Sequence, residues 1–409
     1  MTNKKTSNES YNVGGVSFPQ PFKIRRLGHV GFHMEGIDAG KEFYCDVLGF
    51  RTSDELDFSN FPDPDVQANV KRLIPDPRAI FASHNTDHHT FVITPKGVME
   101  AFNIPNPDEI RLNQIAWQVG SIEEITQAVE FFNAKGVKVD RVGRDFPGSN
   151  WHVYFQDPDQ NAVELFYGIE QVGWNGTAKP MAMYGLDEPA QLPMPGELAE
   201  IKDALDKGVD IHSGNRQSAF LPATYDVGGV LQPRPFRITN MGPVVLFCRD
   251  MKASEAFYKE LLGFVECESV TYSGHRCIFL RNSNEHHSLA LFPVELREEL
   301  GLHSGSLCAS VGMQVGSYQQ LRSAVTFFQE KGSKIIDFPQ ELHPGIDYAV
   351  HLLDPEGNCI QLYYHMEQVG WDGKPRPPEL RRKVSKDWPE TIDALSDTYA
   401  GQPFNGPIG

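Results

Sequence analysis

The sequence predicts an α+β protein made of four βαβββ modules, paired in tandem so that each half curls a mixed sheet into a cup. Three observations carry this expectation. The chain repeats itself once along its length, each half divides again into two similar modules, and strand-period apolar runs are interrupted by single amphipathic helical segments.

The repeat is explicit. YNVGGVSFPQPFKIRRLGHVGF, from Tyr11, returns as YDVGGVLQPRPFRITNMGPVVLF from Tyr225, and EFYCDVLGF returns as AFYKELLGF. Tyr44 and Tyr258 are 214 positions apart, whereas His89 and His287 are 198 apart, so the first half carries about 16 extra residues within 54–77. Such an insertion reads either as a lid over a pocket mouth or as a solvated surface loop. DPDQNAVELFYGIEQVGWNG finally returns as DPEGNCIQLYYHMEQVGWDG.

Within the first half, an alternating strand around 26–33 leads to an amphipathic segment at 38–48, then to strands near 80–83 and 89–94. LNQIAWQV opens a second module, followed by helix IEEITQAVEFFNAKG and strands near 151–156 and 162–167. DPDQN between the last two has turn chemistry. The expected domains are residues 1–169 and 225–368. Residues 170–224 form a linker with one helix at GELAEIKDALDKG, and 369–409 form a Pro-rich tail that wraps a surface.

A chain of 409 residues is long enough for two domains, and a formal charge of −17 disfavours nucleic acid or an anionic membrane as partner. No apolar run reaches the length of a membrane span, and the first residues lack the apolar core of a secretory signal. The six cysteines form no CxxC pair, which fits free thiols in a reducing cytoplasm.

Strand alternation decides which side chains share the concave face. His29, Gly31 and His33 share one face of LGHVGFH. Gln114 holds the matching place in LNQIAWQV, and Glu164 faces inward if Val163 and Leu165 pack against the helices. Imidazole, amide oxygen and carboxylate together suit a divalent ion such as Fe, Mn, Ni or Zn. A lone strand histidine is commonly a core residue, but the second half acts as an internal control. Pro243, Ser310 and Gln361 replace His29, Gln114 and Glu164, so any metal centre is expected in the first half alone.

The strings GHVGF, FYCDVLGF and DPDQNAVELF resemble the vicinal-oxygen-chelate superfamily, and within it the type I extradiol ring-cleaving dioxygenases. That family places a His pair at the start of a module's last strand, here His88 and His89, and a Tyr ten residues before the ligating Glu, here Tyr154 before Glu164. The resemblance implies tandem vicinal-oxygen-chelate domains and Fe(II) held by His29, Gln114 and Glu164. His89 then acts as acid–base, and Tyr154 hydrogen-bonds a substrate oxygen. The implied partners are a small aromatic vicinal diol and O₂, with a homo-oligomeric, cytoplasmic enzyme as the setting. His88, His33 and His152 are expected to be structural or supporting. The chain departs from the family at Gln114, where a second His is usual, and in carrying its ligands in the N-terminal half. An O₂-independent metal-dependent lyase or isomerase therefore stays open, as does a non-catalytic ligand-binding protein. The His pair recurs as His286 and His287, whereas Tyr154 is replaced by His351.

Overall fold

The computed structural model describes residues 10–104, 109–144, 147–173, 175–184, 197–217, 221–369 and 373–393. The expectations for the extreme N-terminus, the middle of the linker and the end of the tail lie outside these residues. Two eight-stranded mixed sheets dominate. The first contains β1 (Arg26–Met34), β2 (Arg51–Asp57), β3 (Arg78–Ser83), β4 (Phe91–Pro95), β5 (Leu112–Gln118), β6 (Val139–Gly143), β7 (Ser149–Gln156) and β8 (Ala162–Ile169). Their order across the sheet is β2-β3-β4-β1-β5-β8-β7-β6, so the two modules meet where β1 pairs antiparallel with β5. The second sheet repeats this order with its own first strands, Ile238–Cys248 and Cys308–Val315, at the centre.

Helix α1 (Ile37–Lys41) runs on through a π-turn at Glu42–Val47 and covers the first module. A helix at Ile122–Lys135 covers the second. The latter starts where the Ser121 hydroxyl accepts from the Glu124 amide, and it stops at Gly136, whose φ of 74° a β-carbon would oppose. Its Ile125, Ala128, Phe131 and Phe132 share a face with helical spacing and meet the apolar side of the sheet. Val30, Phe32, Ile80, Ile93, Ile115, Val163 and Leu165 supply that side, and the corresponding residues of the second half belong to the same continuous core.

The insertion is not a solvated loop, which corrects one of the two sequence expectations. Its first residues complete β2, and residues Pro64–Leu73 form a helix capped by the Asp63 carboxylate. Val66, Val70 and Ile74 are buried against Phe58, Phe81 and Val92, on the sheet face opposite α1. Apolar spacing within the insertion supports this packing, since Val66 and Val70 are one helical turn apart. The expected linker helix spans Glu197–Asp206. The tail reaches back over the second half, where Trp388 packs on Tyr318 and Tyr348 and Arg382 pairs with Asp347. Among the described residues no helix is long and apolar enough to cross a membrane, and all six cysteines are free.

Candidate metal centre

The concave face of the first sheet carries His29, Gly31, Gln114, Ala116, His152, Tyr154, Glu164 and Phe166. In register, His29 lies opposite Ala116, Ala116 opposite Glu164, and Glu164 opposite Tyr154, which makes one row across four strands. Gln114 sits one step along, opposite Gly31. Gly28 occupies a register shift in β1, and a β-carbon there would fall 2.2 Å from the Phe166 ring. Its absence lets Phe166 pack against His29 at 5.1 Å between ring centres.

His29 Nε2 stands 2.9 Å from Glu164 Oε2, with both side chains buried. Tyr154 donates its hydroxyl to the same carboxylate oxygen at 2.8 Å, and Gln114 Oε1 lies 3.1 Å from that hydroxyl. His152 Nδ1 approaches Glu164 Oε1 to 4.0 Å. Burial alone would raise the Glu164 pKa, but the His29 charge and hydrogen bond, with His152 and Tyr154 behind them, hold it below the usual value. His89 packs its ring 4.4 Å from that of His29. Burial above all pushes the His89 pKa well below the ordinary imidazole value, so it is neutral near pH 7. His33 is driven down to about 4 by burial and lies off this row, two residues beyond Gly31.

These residues fit a divalent ion. Glu164 Oε1 is buried and accepts no hydrogen bond within 3.5 Å among the described residues, a state that costs about 1–3 kcal/mol unless a cation or donor meets it. Two donors each about 2.1 Å from one ion and at right angles to it stand about 3 Å apart, close to the His29–Glu164 separation. Among the described residues no group of three or more His, Cys, Asp or Glu side chains is placed to hold a metal ion. Gln114 supplies an amide oxygen next to the pair. Gln114 and Tyr154 are half-buried, while His29, His89 and Glu164 are buried.

The second cup has another character. Val245, Phe247, Phe279, Ala290 and Phe292 fill its concave face with an apolar cluster. Ser310 and Gln361 occupy the places of Gln114 and Glu164, and His351 stacks on Phe338 at 4.2 Å.

The glyoxalase/bleomycin resistance protein/dioxygenase superfamily profile matches residues 26–165 and 240–362. The chain belongs to this superfamily. Biphenyl-2,3-diol 1,2-dioxygenase of Paraburkholderia xenovorans (strain LB400) is 30% identical to it over 143 residues, which are 35% of this chain and 40% of that protein. The chain thus aligns with about 40% of the length of the curated relatives it matches. Among solved structures, homoprotocatechuate 2,3-dioxygenase from Brevibacterium fuscum is similar with a TM-score of 0.53 and 14% identity, over 86% of this chain and 83% of that one. A Mn(II)-bound glyoxalase from Novosphingobium aromaticivorans is similar with a TM-score of 0.52 and 15% identity, over 86% and 85%. These likenesses show the superfamily fold, two glyoxalase-type domains in tandem.

Asp54 escaped sequence reasoning, and His152, expected to be structural or supporting, stands closer to the candidate ligands than that. Asp54 is buried on the concave side and bonded to His88, and its only sequence signal is that Glu268 stands 214 positions on, the offset of the first strands. His152 lies beside Glu164 because it shares a strand face with Tyr154 two residues later, as period-two alternation requires.

Proposed function

We propose that the chain is a metal-dependent, extradiol-type ring-cleaving dioxygenase acting on a small aromatic vicinal diol in the cytoplasm. The observation that carries this reading is the buried His29–Glu164 pair with Tyr154 and neutral His89 beside it on one face of the sheet. His29, Glu164 and the Gln114 amide oxygen would hold the ion, Fe(II) in the first place and Mn, Ni or Zn otherwise. When bound, it supplies a Lewis-acid centre for two adjacent substrate oxygens and a site where O₂ reacts. His89 takes the proton of one diol hydroxyl and returns it later in the cycle. Tyr154 turns its hydroxyl from Glu164 to a substrate oxygen on which negative charge develops. The diol and O₂ together give a ring-opened semialdehyde acid that retains both oxygen atoms.

The test is oxygen uptake by protein loaded anaerobically with Fe(II), using a panel of catechols and recording visible absorbance. One O₂ consumed per diol, with a coloured product, is the expected result. Turnover that continues unchanged without O₂ would overturn it in favour of a lyase or isomerase, the reading that Gln114 in place of a second His favours. Binding of a ligand without metal and without turnover would leave a binding protein.

A further inference from the structure

Asp54, His88 and His89 form a hydrogen-bonded chain that ends beside the candidate centre. Asp54 reaches the concave side because β2 carries a register shift between Thr52 and Asp54, which sets Asp54 opposite Phe81. Its Oδ2 lies 2.7 Å from His88 Nε2, and its Oδ1 accepts from the side-chain amide of Asn215 in the linker. His88 Nδ1 lies 3.1 Å from His89 Nδ1. Asp54, His88 and His89 are 1%, 0% and 2% exposed, so water does not compete for these bonds.

The order of donors follows from the carboxylate. An ionised Asp54 only accepts, so His88 carries its proton on Nε2. A neutral His88 then has a bare Nδ1, which accepts from His89 Nδ1–H. His89 is left with a bare Nε2. We propose that Asp54 and His88 are positioning residues that hold His89 in the tautomer with Nε2 free to accept a proton. The tautomer stands on the hydrogen-bond chain alone, and its catalytic use rests on the function proposed above.

The second half contains the same chain: Glu268 Oε2 is 2.9 Å from His286 Nε2, and His286 Nδ1 is 3.0 Å from His287 Nδ1. A register shift between Glu266 and Glu268 sets that carboxylate inward too, and Arg381 takes the part of Asn215. The arrangement therefore belongs to the duplicated module, and only in the first half does it end beside an imidazole–carboxylate pair.

Histidine tautomers are read from long-range proton–nitrogen correlations of protein labelled with ¹⁵N-histidine, metal-free, at pH 8, with the His89 signals identified by their loss in His89→Gln. The wild type should show a pyridine-like Nε2 and a pyrrole-like Nδ1 on His89. In Asp54→Asn the amide oxygen stays with the Asn215 donor and the NH₂ group faces His88. Both imidazoles should then invert, so that His89 carries its proton on Nε2. Asp54→Glu, the residue of the second half, should keep the wild-type pattern. Asn215→Ala added to Asp54→Asn frees the amide to turn its oxygen to His88 and should restore it. For the loaded enzyme, Asp54→Asn should lower kcat by roughly 10²-fold, the range of lost acid–base assistance, with KM nearly unchanged, and Glu268→Gln should leave kcat unaltered. A wild-type His89 protonated on Nε2, a His88 protonated on both nitrogens, or an Asp54→Asn protein with the wild-type pattern would overturn the tautomer assignment. An inverted tautomer with full kcat would overturn the positioning role. Absence of O₂ uptake by the wild type would sink the proposed reaction, while the nitrogen spectra would still decide the tautomer.

Discussion

Tyr44 of the first half donates its hydroxyl to Asp354 of the second at 2.9 Å. Tyr258 returns the same bond to Asp157, also at 2.9 Å. Both tyrosines are fully buried, and the two acceptors are the turn aspartates of the repeated DPDQN and DPEGN strings. The halves are thus joined by exchanged, equivalent bonds inside a core they share. Removing either hydroxyl leaves a buried carboxylate short of a donor. Tyr44→Phe and Tyr258→Phe should each lower the free energy of unfolding by about 1–3 kcal/mol. Urea unfolding followed by fluorescence checks this, and a change below a few tenths would show that water replaces the bond.

The same turn makes stability depend on pH. Burial raises the Asp157 pKa from 3.8 to about 6, against the opposing bonds from Asn161 and Tyr258. Between those values the folded state binds the proton more tightly than the unfolded chain. This group's contribution is therefore complete below about pH 4 and is lost as pH rises through 6. The loss is on the order of 2–3 kcal/mol. Asp157→Asn should flatten the stability profile between pH 4 and 6, whatever it does to the baseline, and denaturant midpoints across that range measure it.

Metal content separates the two halves. One ion per chain is expected after anaerobic loading with Fe(II). His29→Ala and Glu164→Ala should each abolish it, while Gln361→Ala in the second half should leave it unchanged. Elemental analysis of the dialysed proteins gives the answer. Two ions per chain, or full occupancy in Glu164→Ala, would place the centre elsewhere.

Gln114 permits a sharper comparison. If its amide oxygen is a ligand, Gln114→Ala should weaken Fe(II) binding, and Gln114→His, which creates the commoner two-His, one-carboxylate set, should bind at least as tightly as the wild type. Anaerobic competition with a chromophoric chelator ranks the three proteins. Equal affinity in wild type and Gln114→Ala would assign Gln114 to Tyr154 alone, whose hydroxyl it already meets at 3.1 Å.

Much of the fold was legible. The duplication, the module order and the inward face of β1, β5 and β8 follow from repeated strings and period-two alternation. Val163 and Leu165 lie in the helix-side core and Glu164 on the other face, as that alternation requires. The insertion was less legible: Pro64 and Asp63 mark a helix start, but nothing local says that Val66 and Val70 will cover Phe81 and Val92. His88, which alternation sets out of phase with His89, is placed by the bend before β4 and by Asp54.

By itself the sequence determined what repeats, that each half divides into two modules, and which half retains imidazole and carboxylate together. These are properties of short strings, because strand period, turn residues and caps act over a few positions. Only the tertiary structure decided that Asp54 meets His88 across 34 residues and Asn215 across 161, and that apolar side chains fill the second cup. A bulge and the packing of distant segments bring those groups together. Contacts of that kind depend on the bend of the sheet and on what packs against it, which no local pattern encodes.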